Sequence, residues 1–252
     1  RRQRQMCIRD SYPYVVGDSI GGFMKEEEDK FSGGYAYRFG KWTAGAELGY
    51  RAVIAYRDKD PRPRNIISDL QASLALSRNL SGKYNLGLAV QARKYNQKSE
   101  ITFLADKGST SVYQMLGLGM DYVRFAGTQT STRYTGEGIG GSIDLLPVSN
   151  DGENNGFSAS LRADYFHLTK ELSSTNYTPI NEIKNVDVSL ETAWTRRNRE
   201  WEYGVHLLAA LQQRTGVENI FGEPSGSIYP QISSVDQFKN TTLKAGLKGR
   251  IG

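Results

Sequence analysis

The chain has 252 residues, a formal net charge of +5 and 38% hydrophobic residues, and its length suits one large all-β domain. No apolar run approaches the ~20 residues that a membrane-spanning helix requires. The 11% aromatic content is high for a disordered chain. The basic residues are scattered among acidic ones and do not form the stripe of a nucleic-acid binder. Because Cys7 is the only cysteine, the chain has no intrachain disulfide framework.

The N-terminal part of the chain predicts one strand and one turn. Residues 1–12 are polar and irregular, and residues 14–24 predict a first strand whose alternation is weakened by three glycines. The charged run KEEED at residues 25–29 predicts a solvated turn.

Residues 31–56 carry the clearest pattern in the chain. Aromatic, aliphatic or glycine residues occupy every second position from 31 to 39, and again from 42 to 56 after a short turn at Gly40 and Lys41. The positions between them hold small or charged residues such as Arg38, Glu47 and Arg51. Strict alternation predicts a β-hairpin. Strands that are apolar on one face and charged on the other are typical of transmembrane β-barrels.

The next part of the chain predicts two more strands and one excursion. Residues 57–65 predict a loop, because two prolines do not fit a central strand. Residues 66–78 and 84–103 alternate and are separated by a short turn. Residues 104–130 show poor alternation, and we expect them to form a loop excursion or a plug.

The C-terminal half predicts strands over residues 132–146, 157–165, 186–194, 201–214 and 243–251. Loops are predicted near residues 173–179 and 221–236, where Ser, Asn, Gly and Pro accumulate. Short and long connections alternate along the chain, as in outer-membrane barrels, if the excursion adds no strand to the wall. The expected total is then roughly ten strands.

The fold that these patterns favour is an all-β, antiparallel transmembrane β-barrel in a single domain over residues 1–252. A soluble β-sandwich is the alternative, since it also gives alternating strands. Strands of ~12 residues exceed the usual soluble length, and aromatic residues gather at strand ends, as in an interfacial girdle. No signal peptide precedes the first strand and no turn follows the last one. We therefore expect an unclosed part of a larger barrel, which would aggregate or refold poorly in isolation.

Five short motifs stand out in this sequence, namely DSYP at residues 10–13, FSGGY at 31–35, ELGY at 47–50, DPRPR at 60–64 and RFAG at 124–127. With these motifs the chain resembles an uncharacterised family of outer-membrane β-barrel proteins from Bacteroidota. The resemblance implies a barrel fold and an outer-membrane location, and it assigns no catalytic or ligand-binding residue.

Charged residues on the polar side of the strands are the candidate functional residues. A lysine or arginine that faces lipid costs about 2–4 kcal/mol at the bilayer midplane, so these side chains should face the barrel lumen. They would form either a ladder of ion pairs that fills the lumen or the lining of a water-filled pore. The residues are Arg38, Glu47, Arg51, Asp69, Arg93, Arg162, Asp164, Asp187, Glu191, Glu202, Arg214 and Lys244.

No other motif predicts chemistry. One cysteine and the distant His167 and His206 give no metal-ligand spacing. The glycine-rich residues 138–142 predict a strand of small residues and not a phosphate loop. Residues 17–21, GDSIG, match the Gly-x-Ser-x-Gly spacing, but they fall within the expected first strand and not at a strand-to-helix turn. The sequence therefore predicts no enzyme activity and no cofactor.

Three functional hypotheses remain open at this point. The first is an outer-membrane channel or transport accessory with a charged lumen. The second is a non-conducting structural or docking barrel whose external loops bind a partner, which would be another outer-membrane protein. The third is a membrane-embedded hydrolase that uses the lumen-facing His206. In each case membrane lipid is a partner and nucleic acid is not.

Overall fold

A computed structural model describes residues 16–18, 23–60, 62–80, 82–104, 112–114, 131–148, 155–173, 177–197, 201–226 and 228–251. Nine of the described strands form one antiparallel sheet in which neighbours in space are also neighbours along the chain. In order they are β2 (Lys25–Phe39), β3 (Trp42–Tyr56), β4 (Arg62–Leu80), β5 (Tyr84–Thr102), β7 (Ser131–Pro147), β8 (Gly156–Leu172), β9 (Thr178–Arg197), β10 (Glu202–Phe221) and β11 (Gln231–Ile251).

Two further short strands lie outside this sheet. They are β1 (Val16–Asp18) and β6 (Val112–Gln114), and they pair with each other in antiparallel register. β5 pairs directly with β7, so no described residue between these strands enters the nine-stranded sheet.

Successive connections lie at alternate ends of the sheet. The β2–β3 and β4–β5 turns contain Gly40 at φ 61° and Gly82 at φ 70°, a left-handed conformation that glycine adopts without a Cβ clash. These two tight turns, with the β7–β8 and β9–β10 connections, define the end that we call the short-turn end. The β3–β4, β5–β7, β8–β9 and β10–β11 connections define the opposite end, which we call the long-loop end. The lengths do not separate strictly, because residues 148–155 between β7 and β8 outnumber residues 57–61 between β3 and β4.

The sheet has two unlike faces, as the alternation predicts. We call them the apolar face, which carries Leu74, and the polar face, which carries Asp69. Leu74 is 62% exposed, and no described strand packs over it. The described strands therefore form a single sheet and not the two packed sheets of the soluble alternative. The apolar residues that alternate in sequence with the charged ones are exposed on the apolar face, among them Ala46, Leu48, Leu74, Leu88, Leu161, Leu190 and Leu207.

The buried core lies on the polar face, near the long-loop end. One cluster joins side chains from six neighbouring strands, and a second joins β8, β9, β10 and the loop before β11. The first consists of Val53, Ile67, Tyr95, Tyr134, Leu168 and Ile183, with Phe166 against it; the second consists of Leu172, Ile180 and Phe221, with Tyr229 against it.

The nine strands of the sheet are close to the roughly ten that the sequence predicts, and residues 16–18 of the expected first strand pair with β6 outside this sheet. One expectation about the N-terminal part is wrong. The expected turn at residues 25–29 is instead the start of β2. Its backbone pairs with residues 52–56 of β3, and these ladder hydrogen bonds outweigh the turn signal of the charges.

Loop boundaries near proline and glycine are also corrected. β4 begins at Arg62, inside the expected loop 57–65, because Pro63 lies beyond the last β3–β4 pair and its missing N–H is not required there. β9 likewise includes Pro179 near its start. The expected loop 221–236 shortens because β11 begins at Gln231, and a register shift after Gly216 had disrupted the alternation.

The sheet is open in the described part of the chain. β2 and β11 are its two edges, and each has a strand on one side only. This agrees with the expectation of an unclosed sheet. Separately, the described residues include no helix that is long and apolar enough to cross a membrane.

Candidate functional site

The polar face brings the predicted charged residues onto one surface. The strand registers place all twelve on this face, since Arg51 lies opposite Asp69, Gln91 opposite Gly140, and Asp164 opposite Asp187. The side chains differ in how they are paired, and those near the middle of the sheet form a connected belt.

Asp69 is the centre of the belt on β3, β4 and β5. Its carboxylate, 4% exposed, accepts two hydrogen bonds from Arg93, with Nε to Oδ1 at 2.8 Å and Nη2 to Oδ2 at 2.7 Å. Arg51 adds a longer contact from Nη2 to Oδ2 at 3.4 Å, and its Nη1 lies 3.6 Å from Glu28. Two-pronged arginine–carboxylate pairs fix orientation as well as charge. Asp69 therefore holds two arginines in place.

Glycines on β7 allow side chains from its neighbours to meet above it. The guanidinium of Arg93 lies 4.9 Å from the ring centre of Phe166, which comes from β8, two strands away. A Cβ on Gly136 would lie 2.5 Å from this ring, and one on Gly138 would lie 3.1 Å from it. The missing side chains thus create the space in which the aromatic ring of Phe166 covers β7.

Another glycine of β7, Gly140, allows the belt to continue from β5 to β8. The amide of Gln91 donates to Asp164 across Gly140, where a Cβ would collide with both groups. Arg162 also donates to Asp164, from Nε to Oδ2 at 2.6 Å. The Gln91–Asp164 contact joins β5 and β8 above β7, as expected for a sheet that curls toward its polar face.

Uncharged polar side chains complete the belt, and the sequence analysis missed them. The alternation does place them on the polar face, because they share the parity of the charged residues. They were missed because charge was the criterion for a candidate residue. The contacts are Asp144 with Ser142 and Ser160 at 2.8 and 2.5 Å, Asp187 with Gln212 at 2.7 Å, and Arg214 with Asn185 at 3.0 Å.

Five predicted residues lie on the polar face outside this belt. Arg38, Glu47, Glu191 and Lys244 are exposed, and Glu191 lies directly opposite Ser160 of the belt. Glu202 is half-buried and lies 3.3 Å from Arg250 at the end of β11. The polar face therefore combines a belt of paired groups with a more open charged region.

Neither histidine lies in a group with recognisable catalytic geometry. His167 is on the apolar-face side, where its Nε2 lies 2.9 Å from Glu182. His206 lies on the polar face opposite Ala193 and Lys248. Among the described residues, no cluster of His, Cys, Asp or Glu is arranged to hold a metal ion.

A shallow groove of about 670 Å³ lies mainly on the apolar face. It exists because glycine and alanine alternate with leucine across β2, β3, β4 and β5, so the small residues form a depression between larger ones. Its lining is almost entirely apolar, which suits hydrocarbon chains more than a polar solute. The lining includes Gly33, Tyr35, Ala46, Leu48, Ala72, Leu74, Val90, Ala92 and Ile139.

Comparison with known proteins gives one match. The model of a family described as "Family of unknown function (DUF6850)" matches residues 6–252, and the chain therefore belongs to that family. No curated protein and no solved structure matches the chain.

Proposed function

We propose that this member of the DUF6850 family is a bacterial outer-membrane β-barrel protein that acts as a channel or transport accessory, with its polar face lining the lumen. The observation that carries the proposal is the uncovered apolar face of a one-layer sheet. A sheet in water buries its apolar face against another element, and contiguous exposed apolar patches larger than a few hundred Å² mark interaction sites. Here apolar side chains stand exposed on all nine strands, from Phe31 on β2 to Leu247 on β11.

Strand length and backbone pairing support a membrane location. A transmembrane strand needs about 9–11 residues, and the shortest sheet strands, β2 and β3, each have 15. Backbone groups in hydrocarbon must be satisfied internally. The seven inner strands meet this need, because each is paired on both sides over most of its length. The resemblance to Bacteroidota outer-membrane barrels favours the same location.

The polar face supports the assignment of a lumen. Arg51, Arg93 and Arg162 lie on the face opposite to the exposed leucines, where lipid contact does not impose its cost of about 2–4 kcal/mol per basic residue. The exposed Glu47 and Glu191 are the acidic groups that would meet a passing ion. Rings of such side chains set the charge selectivity of pores.

Conductance of the full-length protein, with the strands that close its barrel, tests the channel in planar lipid bilayers. We expect discrete conductance steps, and we expect the double variant Glu47→Gln/Glu191→Gln to shift the reversal potential in a salt gradient toward lower cation preference. Asp58→Asn is the matched control, because Asp58 is an exposed carboxylate in the β3–β4 connection and pairs with Lys25 outside the proposed pore. A folded, membrane-inserted protein without conductance would reject the channel.

A separate observation supports a second candidate function. The two buried clusters place aromatic and aliphatic side chains on the polar face near the long-loop end, where a wide water-filled pore would have polar ones. This favours a non-conducting structural barrel whose loops bind a partner, for example another outer-membrane protein. An electrically silent barrel would support this alternative.

A further inference from the structure

The outer surface of the sheet changes character midway along the strands. On β5 the side chains that point to the apolar face are apolar from Tyr84 to Ala92, and those from Lys94 to Glu100 are polar or charged. On β8 the same change occurs between Tyr165 and His167. On both strands the apolar part is the one near the short-turn end, whereas on β3 the outward side chains remain apolar as far as Tyr56 at the long-loop end.

The change falls on one row of paired residues. Lys94 lies opposite Glu137, Glu137 opposite His167, and His167 opposite Lys184. Beyond this row the outer surface carries ion pairs, including Lys98 with Glu100 at 2.5 Å and Arg133 with Glu171 at 3.8 Å. We call the strand parts beyond the row the collar, and the parts before it the band.

The inner surface changes in the opposite sense across the same row. In the band it carries the part of the belt formed by Gln91, Arg93 and Asp164. In the collar it carries the Arg51–Asp69 pair and the two buried apolar clusters. β5 shows both changes, because Val90 in the band is 59% exposed on the outside whereas Tyr95 in the collar is 4% exposed on the inside. Apolar side chains thus point outward in the band and inward in the collar.

Each pattern matches one solvent. Strands in lipid are apolar outward and polar inward, whereas strands in water bury their apolar face and expose their polar face. A strand that carries both patterns in sequence crosses from one solvent to the other. The band has eight residues on β3 (42–49) and thirteen on β9 (185–197), a range that includes the about 9–11 residues that a tilted strand needs to cross the hydrocarbon layer.

We infer that only the band crosses the membrane, and that the collar stands in water as an extension with its own hydrophobic core. The row of Lys94, Glu137, His167 and Lys184 then meets the lipid headgroups. This inference rests on the proposed membrane location and adds which half of the wall contacts lipid.

Cysteine accessibility tests the inference, with Cys7→Ser as background. Val90→Cys in the band and Asn96→Cys in the collar lie on the same outer surface of β5, and Leu161→Cys and Thr169→Cys form a second pair on β8. The full chain is placed in lipid nanodiscs, where both membrane sides are open to reagent, and reacted with a membrane-impermeant maleimide. We expect the collar cysteines to react at least about tenfold faster. An environment-sensitive fluorophore on the band cysteines should be quenched by acyl-chain-brominated lipid.

Two outcomes overturn the inference and are distinguishable. If band and collar cysteines are equally protected and equally quenched, the membrane covers the full strands, and the proposed membrane protein survives without a collar. If all of them react rapidly and none is quenched, the membrane location fails as well. The second pair on β8 keeps the test valid if one β5 variant does not fold.

Discussion

Lys170 is an ionisable residue at a buried position between apolar side chains. It lies on the polar face between Leu168 and Leu172, is 2% exposed, and has its ammonium 5.8 Å from the ring centre of Tyr134. Burial lowers the pKa of Lys170 from 10.5 to about 7. Lys170 belongs to the collar, which we infer stands in water. The change in its pKa on folding therefore makes the free energy of unfolding depend on pH.

The depressed pKa of Lys170 predicts a specific pH dependence of stability. Between about pH 7 and 10.5 the unfolded chain holds a proton that the folded chain releases, so the free energy of unfolding rises with pH in this window and is flat below it. The rise is at most about 1.4 kcal/mol per pH unit. We expect Lys170→Met to remove it and to be more stable near pH 7, measured by urea unfolding in detergent.

Lys184→Met is the control for this prediction. Lys184 is the nearby lysine on the outer surface of β9, 44% exposed and 3.8 Å from Glu182. Its replacement should leave the slope against pH unchanged. If Lys170→Met retains the wild-type slope, the neutral lysine is not the cause of the pH dependence.

At the scale of elements, the absence of side chains at three positions of β7 determines how its neighbouring strands pack. Its polar-face positions 136, 138 and 140 are all glycine, and Phe166, Arg93 and the Gln91–Asp164 pair occupy the space above them. Tyr95 holds Phe166 from the side in an edge-on contact, with ring centres 6.4 Å apart. The ring of Phe166 therefore has little room to move away from an added methyl group.

We expect Gly136→Ala to destabilise the sheet by about 1–3 kcal/mol, the usual effect of overpacking a filled core. The added Cβ would lie 2.5 Å from the Phe166 ring and 3.1 Å from Tyr95. Gly49→Ala is the matched control on the polar face of β3, where an added Cβ meets no atom within 4 Å. Chemical unfolding of both variants measures the difference. Equal stabilities would show that Phe166 does not need the gap.

The elements also show how far the sequence was informative. Alternation with the apolar residues outward located the band on every sheet strand, for example residues 31–39, 157–165 and 243–251. The same rule ended β8 at residue 165 and began β9 at residue 186, whereas these strands continue to Leu172 and begin at Thr178. The missed parts belong to the collar, where the apolar residues move to the other parity. On β8 and β9 the single-parity search therefore ended near the row where the outer surface changes, although on β5 and β7 the predicted strands continued beyond it.

The belt was predictable in its location but not in its contacts. The parity of the sequence alone placed Asp69 and Asp164 on the correct face. Their partners depend on which strands are neighbours and on the glycines between them. The reach of Gln91 over Gly140 to Asp164 joins strands 73 residues apart in sequence, and no local pattern contains that information.

At the scale of the whole molecule, the direction of the edge strands limits how a barrel can close. β2 and β11 both begin at the long-loop end and finish at the short-turn end, because an odd number of antiparallel strands makes the first and last parallel. Pairing β2 with β11 would thus create a parallel seam. Single-chain bacterial outer-membrane barrels have an even number of antiparallel strands. Antiparallel closure therefore needs an odd number of strands beyond these nine.

Because the two edge strands run parallel, we expect that β2 and β11 of one chain do not pair. In a Cys7→Ser background, Gly33→Cys combined in turn with Leu243→Cys, Ala245→Cys or Leu247→Cys places both thiols on the apolar face of the two edges. We expect no intrachain disulfide after mild oxidation of the folded protein. Gly33→Cys with Leu48→Cys is the positive control, since these residues are direct partners on β2 and β3 and cross-strand Cα separations of about 4.5–5.5 Å permit a disulfide. Rapid intrachain cross-linking of Gly33→Cys to any of the β11 cysteines would instead establish a parallel seam and a barrel closed by these nine strands alone.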